Sequence, residues 1–259
     1  MHIRLVLLAA LAVGAHAVRA QQTAKPEDTE VHEPVPKVVT PGRTIADPPA
    51  DAVVLFGGKN LDQWVSTENR SAPAKWTVGS GGVFTVNKAE GNIETKRSFG
   101  NYQLHLEWRV PANISGTGQV RGNSGIFLAS LGKGDLGYEL QILDAYQNQT
   151  YVNGMAGSIY KQAAPLANPA RKPGEWQTYD VVWTAPTFTA AGAVATPAYA
   201  TVFFNGVLVQ NHVALAGPTQ YIGKAYYQQT HGPAPIKLQA HGDKSEPLSF
   251  RNIWVRELP

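Results

Sequence analysis

The chain has 259 residues, enough for one large domain or two small ones with a substantial hydrophobic core. It contains 25 glycines, 18 prolines and 16% charged residues, a composition that suits short strands better than long surface helices. Cysteine is absent, which excludes disulfides, thiol nucleophiles and cysteine-ligated metal clusters. The formal net charge of +3 is too small to indicate a nucleic-acid-binding surface, so no nucleic-acid partner is expected.

Residues 1–20 have the pattern of a cleaved signal peptide. Arg4 supplies positive charge, the apolar stretch 5–15 is too short to span a bilayer, and Val18 and Ala20 place small residues before a cleavage point. An N-terminal core helix is the alternative. No run of 18 apolar residues follows, so we expect no membrane span and a periplasmic or secreted protein.

Residues 21–50 contain six prolines and show no apolar periodicity. Such a segment is typical of an extended, poorly packed chain. The sequence therefore predicts a Pro-rich disordered arm over 21–50 and one folded domain over 51–259.

Short apolar or alternating runs, bounded by glycine and proline, predict about a dozen strands. In chain order they are 53–56, 76–78, 83–86, 92–96, 102–110, 124–128, 138–143, 176–184, 200–204, 207–209, 236–240 and 249–257. The glycine-rich segment 79–82 and the pair Asn205-Gly206 predict hairpin turns. No stretch has the periodicity of an amphipathic helix. The predicted fold is all-β, a single antiparallel sandwich or jelly roll.

Alternation also places polar side chains together on one face of three strands. These sets are Glu139 with Gln141; Lys237 with Gln239 and His241; and His105 with Glu107 and Arg109. Amides and carboxylates suit sugar hydroxyls, so the pattern favours a sugar-binding face. The alternative is that these are only the solvated sides of amphipathic strands.

Three further features leave alternatives open. The segment 121–125 either brings backbone close to a ligand or forms a bulge. The segment 154–160 is either an active-site loop or a plain connection. A three-ligand metal site from Glu139, His241 and a third carboxylate remains open, although no spacing indicates it and no cofactor is signalled.

The strand 138–144 has one carboxylate on the face where retaining glucanases need two, which argues against that mechanism.

Seven segments carry a more specific pattern. They are Leu55-Phe56-Gly57-Gly58-Lys59-Asn60-Leu61-Asp62-Gln63-Trp64, 121–128, 138–144, 157–160, 204–207, 238–242 and 250–256. In this order, over roughly residues 53–258, they resemble the 3-keto-disaccharide hydrolase family. The resemblance implies a concanavalin A-like jelly-roll sandwich of two antiparallel sheets. The family usually has Asp before the histidine at 241, where this chain has Ala240, so His241 is expected to be less well held.

The activity that this resemblance implies is cleavage of glycosides oxidised at C3. A C3 ketone acidifies the C2 proton, a base removes it, the C1 substituent is eliminated, and water then adds. The reaction needs one base, one acid and a donor or cation for the enolate. We assign Glu139 as the base, His241 as the acid or proton shuttle, and Arg121 or Lys237 as the enolate stabiliser.

The remaining expectations concern the ligand. The residues expected to bind a saccharide or glycoside substrate are Gln141, Asn123, Gln239, Lys237, Glu107, Asp144 and Tyr160. A non-catalytic carbohydrate-binding domain is the main alternative function. A retaining glucanase is the third, and it would need a second acid about 5–5.5 Å from Glu139.

Overall fold

The computed structural model describes residues 24–259, and the predicted signal peptide lies outside them. Fifteen strands occur in the described chain. They are β1 Val53–Phe56, β2 Trp64–Ser66, β3 Thr77–Gly79, β4 Val83–Thr85, β5 Ile93–Thr95, β6 Tyr102–Arg109, β7 Ser124–Ser130, β8 Gly137–Ile142, β9 Gln177–Thr184, β10 Thr187–Phe188, β11 Val194–Thr196, β12 Ala198–Phe204, β13 Val207–Leu215, β14 Lys237–Leu238 and β15 Ser249–Glu257.

The strands form an antiparallel β-sandwich, as the sequence predicts. The larger sheet has the order β13-β12-β9-β6-β15-β4-β3, with β1 also paired to β15. The smaller sheet has the order β2-β5-β14-β7-β8, and β10 with β11 forms a separate hairpin. Every strand pair is antiparallel.

The core consists of the side chains that alternate inward from both sheets. Leu104 and Val181 from the larger sheet, and Ile126 and Leu140 from the smaller one, are completely buried in one hydrophobic cluster. Tyrosines connect the two layers. The hydroxyl of Tyr179 on β9 donates a hydrogen bond of 2.7 Å to the Gln141 carbonyl of β8. The phenol thereby buries its polar end against a backbone acceptor instead of leaving it unpaired.

Most strand predictions hold to within a few residues. The turn at Asn205-Gly206 is confirmed, since both residues have positive φ, as a two-residue hairpin turn requires. The three short strands β2, β10 and β11 were not predicted. Helix in the described chain is limited to four 3₁₀ segments, Pro26–Thr29, Lys88–Glu90, Gly118–Val120 and Val152–Gly154. Over residues 24–259, no helix is long and apolar enough to cross a bilayer.

The boundary of the folded domain lies earlier than predicted. Residues 24–38 are exposed and belong to one unit, whereas the compact unit that contains the sandwich begins at Val39 rather than at Asp51. Within that compact unit, the Ala46 carbonyl accepts hydrogen bonds of 2.9 Å from the Trp254 indole and from the Asn252 amide. Trp254 is buried on β15. Residues 39–50 therefore belong to the fold of the sandwich.

Removing residues 39–50 is therefore expected to destabilise the domain. Trp254 and Asn252 lose their shared acceptor, and one lost buried hydrogen bond typically costs about 1–3 kcal/mol. Chemical denaturation of a chain starting at Asp51 should show a lower free energy of unfolding than a chain starting at Val39. Equal stability of the two chains would contradict this prediction and restore Asp51 as the boundary.

Candidate functional site

The outer face of the smaller sheet carries rows of polar side chains that the strand register aligns. Glu139 on β8 pairs with Phe127 on β7, which pairs in turn with Lys237 on β14. In the next row, Gln141 pairs with Gly125, and the backbone N–H of Gln239 donates to the Gly125 carbonyl at 2.9 Å. The two glutamines thus flank a residue without a side chain, which leaves a hollow in the sheet surface.

Gly125 also makes room for Glu139. A Cβ atom at position 125 would lie 2.5 Å from the Oε1 atom of Glu139, which is too close for any real contact. The carboxyl group consequently lies over the backbone of β7. The glycine in segment 121–125 therefore serves the geometry of this face, where the sequence left a ligand approach and a simple bulge equally open.

A cavity of about 500 Å³, including its open mouth, lies over this hollow. The lining residues are Asn123, Asp135, Glu139, Gln141, Tyr160, Thr219, Tyr221, Gln239 and His241. Six of the ten predicted site residues therefore surround one cavity, which we call the polar pocket.

Three amide oxygens in the polar pocket have no hydrogen-bond partner among residues 24–259. They belong to Asn123, Gln141 and Gln239, and all three side chains are buried. The Nδ2 of Asn123 donates to the Gln119 carbonyl at 2.8 Å, which leaves its oxygen as the free end. Buried acceptors without a partner are costly, so this arrangement is suited to a ligand that supplies several hydroxyl or other donors.

The carboxyl group of Glu139 is almost completely buried, with 5% of the residue exposed. Burial raises its pKa from 4.5 to about 8, and the neighbouring charge of Asp135 adds to the effect, whereas Lys237 opposes it. Most Glu139 side chains are therefore protonated at pH 7. A buried carboxyl in this state can donate a proton to a ligand oxygen.

His241 is held by a carboxylate that the sequence analysis did not identify. Its Nδ1 lies 2.8 Å from the Oδ2 of Asp243, whose side chain is completely buried. Burial alone would raise the pKa of Asp243, but hydrogen bonds from Ser245, His241 and Lys88 lower it overall. Asp243 therefore stays ionised and favours the imidazole proton on Nδ1. This leaves Nε2, which lies 3.4 Å from the Asn123 Nδ2, as the nitrogen that can exchange a proton in the pocket. In this chain, which has Ala240 before the histidine, Asp243 supplies a carboxylate that orients His241.

Neither cation predicted to stabilise an enolate reaches the polar pocket. The Nε of Arg121 lies 2.7 Å from the Oδ2 of Asp144. The ammonium of Lys237 donates to the carbonyls of Gly132, Gly134 and Leu136 at 2.7, 2.8 and 3.0 Å. All three of its protons are thereby used, and Lys237 stabilises the loop that carries Asp135. Both predicted substrate-binding roles, for Lys237 and for Asp144, are replaced by these structural contacts.

Glu107 lies on the other sheet. Strand β6 pairs with β9 and β15 of the larger sheet, so the polar set of His105, Glu107 and Arg109 does not join the face that carries Glu139. The Glu107 carboxylate accepts hydrogen bonds from Arg251 and Asn252 at 2.6 and 2.9 Å. Although burial opposes ionisation, bonds from His105, Asn252 and Arg251 lower the pKa of Glu107 to about 2. Glu107 is thus part of a buried ion-pair network and not of the pocket.

The comparisons with known proteins agree with this architecture. One family model, described as a 3-keto-alpha-glucoside-1,2-lyase-like domain, matches residues 51–256. The chain belongs to this family. None of the curated proteins matches it.

Two solved structures that resemble this 3-keto-alpha-glucoside-1,2-lyase-like domain come from Parabacteroides distasonis. A provisionally named glycosyl hydrolase from that organism is 52% identical, with 90% of this chain and 97% of that chain covered and a TM-score of 0.83. A second such protein is 22% identical over 80% of this chain and 99% of that chain, with a TM-score of 0.57, and shows likeness of fold alone.

Three residues that line the polar pocket were not predicted from the sequence. Asp135 and Tyr221 lie in loops, where no periodicity marks them, and Thr219 accepts a hydrogen bond from the Glu139 backbone amide at 3.0 Å. Segment 154–160 borders the pocket as well, since the Gly154 carbonyl accepts from Gln141 and Tyr160 lines the wall. Within residues 24–259, no group of three or more His, Asp or Glu side chains has a metal-binding arrangement.

The raised pKa of Glu139 predicts how the stability of the domain depends on pH. Between pH 4.5 and about 8 the unfolded chain releases the Glu139 proton, whereas the folded domain keeps it. Glu139 therefore contributes a decrease in stability as pH rises through this window, and none below it. The Glu139→Gln variant lacks the ionisable group, so its melting temperature relative to wild type should rise from pH 4.5 to pH 8. A difference that stays constant with pH would contradict the assigned environment.

Proposed function

We propose that this chain is an exported enzyme that cleaves 3-keto-glycosides by removal of the C2 proton and elimination of the C1 substituent. Membership of the 3-keto-alpha-glucoside-1,2-lyase-like family supports the substrate class. The observation that carries the proposal is one pocket lined by a buried carboxyl with raised pKa, a histidine backed by a buried aspartate, and three unpaired amide oxygens.

The structure favours an exchange of the two roles assigned from the sequence. His241, with its proton on Nδ1, takes the C2 proton on Nε2. The electron pair of that C–H bond forms an enolate with the C3 ketone, which then expels the C1 oxygen as Glu139 protonates it. Water adds to the resulting double bond, with hydroxide going to C1 and a proton to C2. Each proton transfer of this kind is typically worth about 10²–10⁴ in rate.

The donors for the enolate oxygen are neutral groups of the pocket wall. The hydroxyl of Tyr160 and the amide of Gln239 both line the cavity. They take the place of Arg121 and Lys237, whose charged groups are used elsewhere. Preorganised neutral donors stabilise the negative charge that develops on the enolate oxygen.

Incubation of the purified protein with a disaccharide and with its 3-keto derivative tests the proposal. Cleavage of the keto compound alone is the expected result, because only the ketone acidifies the C2 proton. Cleavage of the parent disaccharide would favour a retaining glycosidase, with Asp135 as the other carboxylate in the pocket. Binding of both without cleavage would favour a non-catalytic carbohydrate-binding domain.

Export is the second part of the proposal, and the pattern of residues 1–20 supports it. Mass spectrometry of the protein from its native cells should find Gln21 at the N-terminus. A chain that retains Met1 and stays in the cytoplasm would contradict export, without bearing on the chemistry of the pocket.

A further inference from the structure

Three tyrosines and one lysine lie together at the mouth of the polar pocket, and we call them the tyrosine rim. Its members are Tyr151, Tyr160, Tyr221 and Lys161. Tyr160 and Tyr221 line the pocket itself, and the hydroxyls of Tyr160 and Tyr151 lie 2.6 Å apart. The rim therefore continues from the pocket wall outward to the surface.

Lys161 holds the rim together. Its ammonium lies 4.3 Å from the ring centre of Tyr221, 5.7 Å from that of Tyr160 and 6.0 Å from that of Tyr151. It also donates a hydrogen bond of 2.5 Å to the Tyr221 carbonyl. Cation–π contacts and this bond fix the Tyr221 loop against the wall that carries Tyr160.

Two unusual backbone features occur at the tyrosine rim, and both lie outside the strands. Lys161 has φ of +59°, a left-handed conformation that is uncommon for a residue with a side chain. A Cβ at position 154 would lie 1.9 Å from the Tyr151 ring, so Gly154 lets that ring lie directly on the chain. The close approach at Gly154 places the Tyr151 ring beside Tyr160, which lines the pocket.

Two of these rings are open to solvent, unlike the tyrosines of the core. Tyr221 is 74% exposed and Tyr151 is 42% exposed. Exposed aromatic side chains grouped beside a polar pocket commonly mark a contact surface for a ligand. The pocket beneath them presents polar acceptors together with Glu139 and His241, whereas the rim presents aromatic faces.

We infer that the two exposed rings of the tyrosine rim, Tyr221 and Tyr151, form the subsite for the leaving group of the glycoside, and that they select leaving groups with a ring that has an apolar face. The inference rests on the proposed function, since the sugar to be cleaved occupies the polar pocket beside Glu139. The part of the substrate beyond the C1 oxygen then extends toward the pocket mouth, where Tyr221 lies. A second pyranose and an aryl group both offer such a face.

Three 3-keto-α-glucosides that differ only in the leaving group test this subsite, with methyl, glucosyl and phenyl at C1. The readout is the ratio of kcat/KM for each ring substrate to that for the methyl substrate. In Tyr221→Ala this ratio should fall by about 3- to 10-fold, the size of a typical aromatic contact. A fall with both ring substrates identifies a general platform, and a fall with one of them alone identifies which ring the subsite takes. Tyr221 is largely exposed, so the variant removes no core packing.

Tyr226→Ala is the matched control, because Tyr226 follows in the same segment, is 59% exposed and does not line the pocket. Its ratios should equal those of wild type. Unchanged ratios in Tyr221→Ala, or an equal fall in Tyr226→Ala, would overturn the inference. If none of the keto substrates is cleaved, the proposed function fails. Calorimetric affinities for the unoxidised methyl, glucosyl and phenyl glucosides, measured on the same variants, then decide the subsite separately.

Discussion

Replacing Glu139 with Gln is expected to lower kcat/KM for a 3-keto-disaccharide by about 10²–10⁴, the usual contribution of a positioned acid or base. The amide keeps the size of the side chain over Gly125 but has no acidic proton that it can transfer to the leaving oxygen. Ligand binding should be nearly retained, because the three unpaired amide oxygens of the pocket are untouched. Calorimetry with the parent disaccharide measures that affinity independently of turnover.

The choice of leaving group separates an acid from a base at this position. A leaving group that departs as a stable anion needs no proton, so Glu139→Gln should recover most of its activity on a 3-keto nitrophenyl glucoside if Glu139 is the acid. If Glu139 is instead the base, as assigned from the sequence, the loss should be the same for both substrates. Full activity of the variant on the disaccharide would exclude both roles.

The wild-type pH profile provides a further check on the same residue. Because the pKa of Glu139 is about 8, the protonated form that donates to the leaving oxygen disappears above that pH. With Glu139 as the acid, kcat/KM for the disaccharide should therefore fall as pH rises through about 8. An active enzyme whose rate rises through this window would contradict the assignment of Glu139 as the acid.

Much of the fold was predictable because apolar and polar residues alternate along the long strands. Strand β6 alternates between completely buried Leu104 and Leu106 and more polar neighbours, so period-two alternation identifies it. Strand β2, at Trp64–Ser66, has three residues, too few for any period to show, and it exists because β5 pairs with it. Residues 39–50 were assigned to the disordered arm because they are rich in proline. The hydrogen bond that the Ala46 carbonyl accepts from Trp254 is a tertiary contact, which no local sequence pattern records.

The site was predictable to the extent that it depends on strand register. Alternation correctly groups Glu139 with Gln141, and Gln239 with His241, but it does not reveal which sheet a strand joins. Glu107 shows the same pattern and lies on the other sheet. Lys237 shows the limit for long side chains, since its ammonium reaches loop carbonyls far from its own Cα. Asp135 and Tyr221 come from loops, whose positions follow from tertiary contacts that no local pattern records.

Replacing Asp243 with Asn is expected to lower turnover by a factor comparable to that for Glu139→Gln, about 10²–10⁴. The carboxylate fixes the proton of His241 on Nδ1 from a distance of 2.8 Å. An amide at this position can present its NH₂ to Nδ1 instead, which moves the imidazole proton to Nε2 and blocks that nitrogen as a base. Nitrogen-15 spectra of His241 would show this change of tautomer directly.

The loss in Asp243→Asn should not depend on the leaving group, because His241 acts on the C2 proton and not on the C1 oxygen. Ser245→Ala is the control, since the Ser245 hydroxyl binds the other carboxylate oxygen and leaves the contact with His241 in place. The backbone amide of Ser245 still donates to that oxygen at 2.7 Å, so a much smaller loss is expected.

Solvent deuterium should appear at C2 of the wild-type product, beyond the exchange seen without enzyme, and more slowly with Asp243→Asn. Product without deuterium at C2 would indicate direct displacement at C1, in which His241 removes no carbon-bound proton.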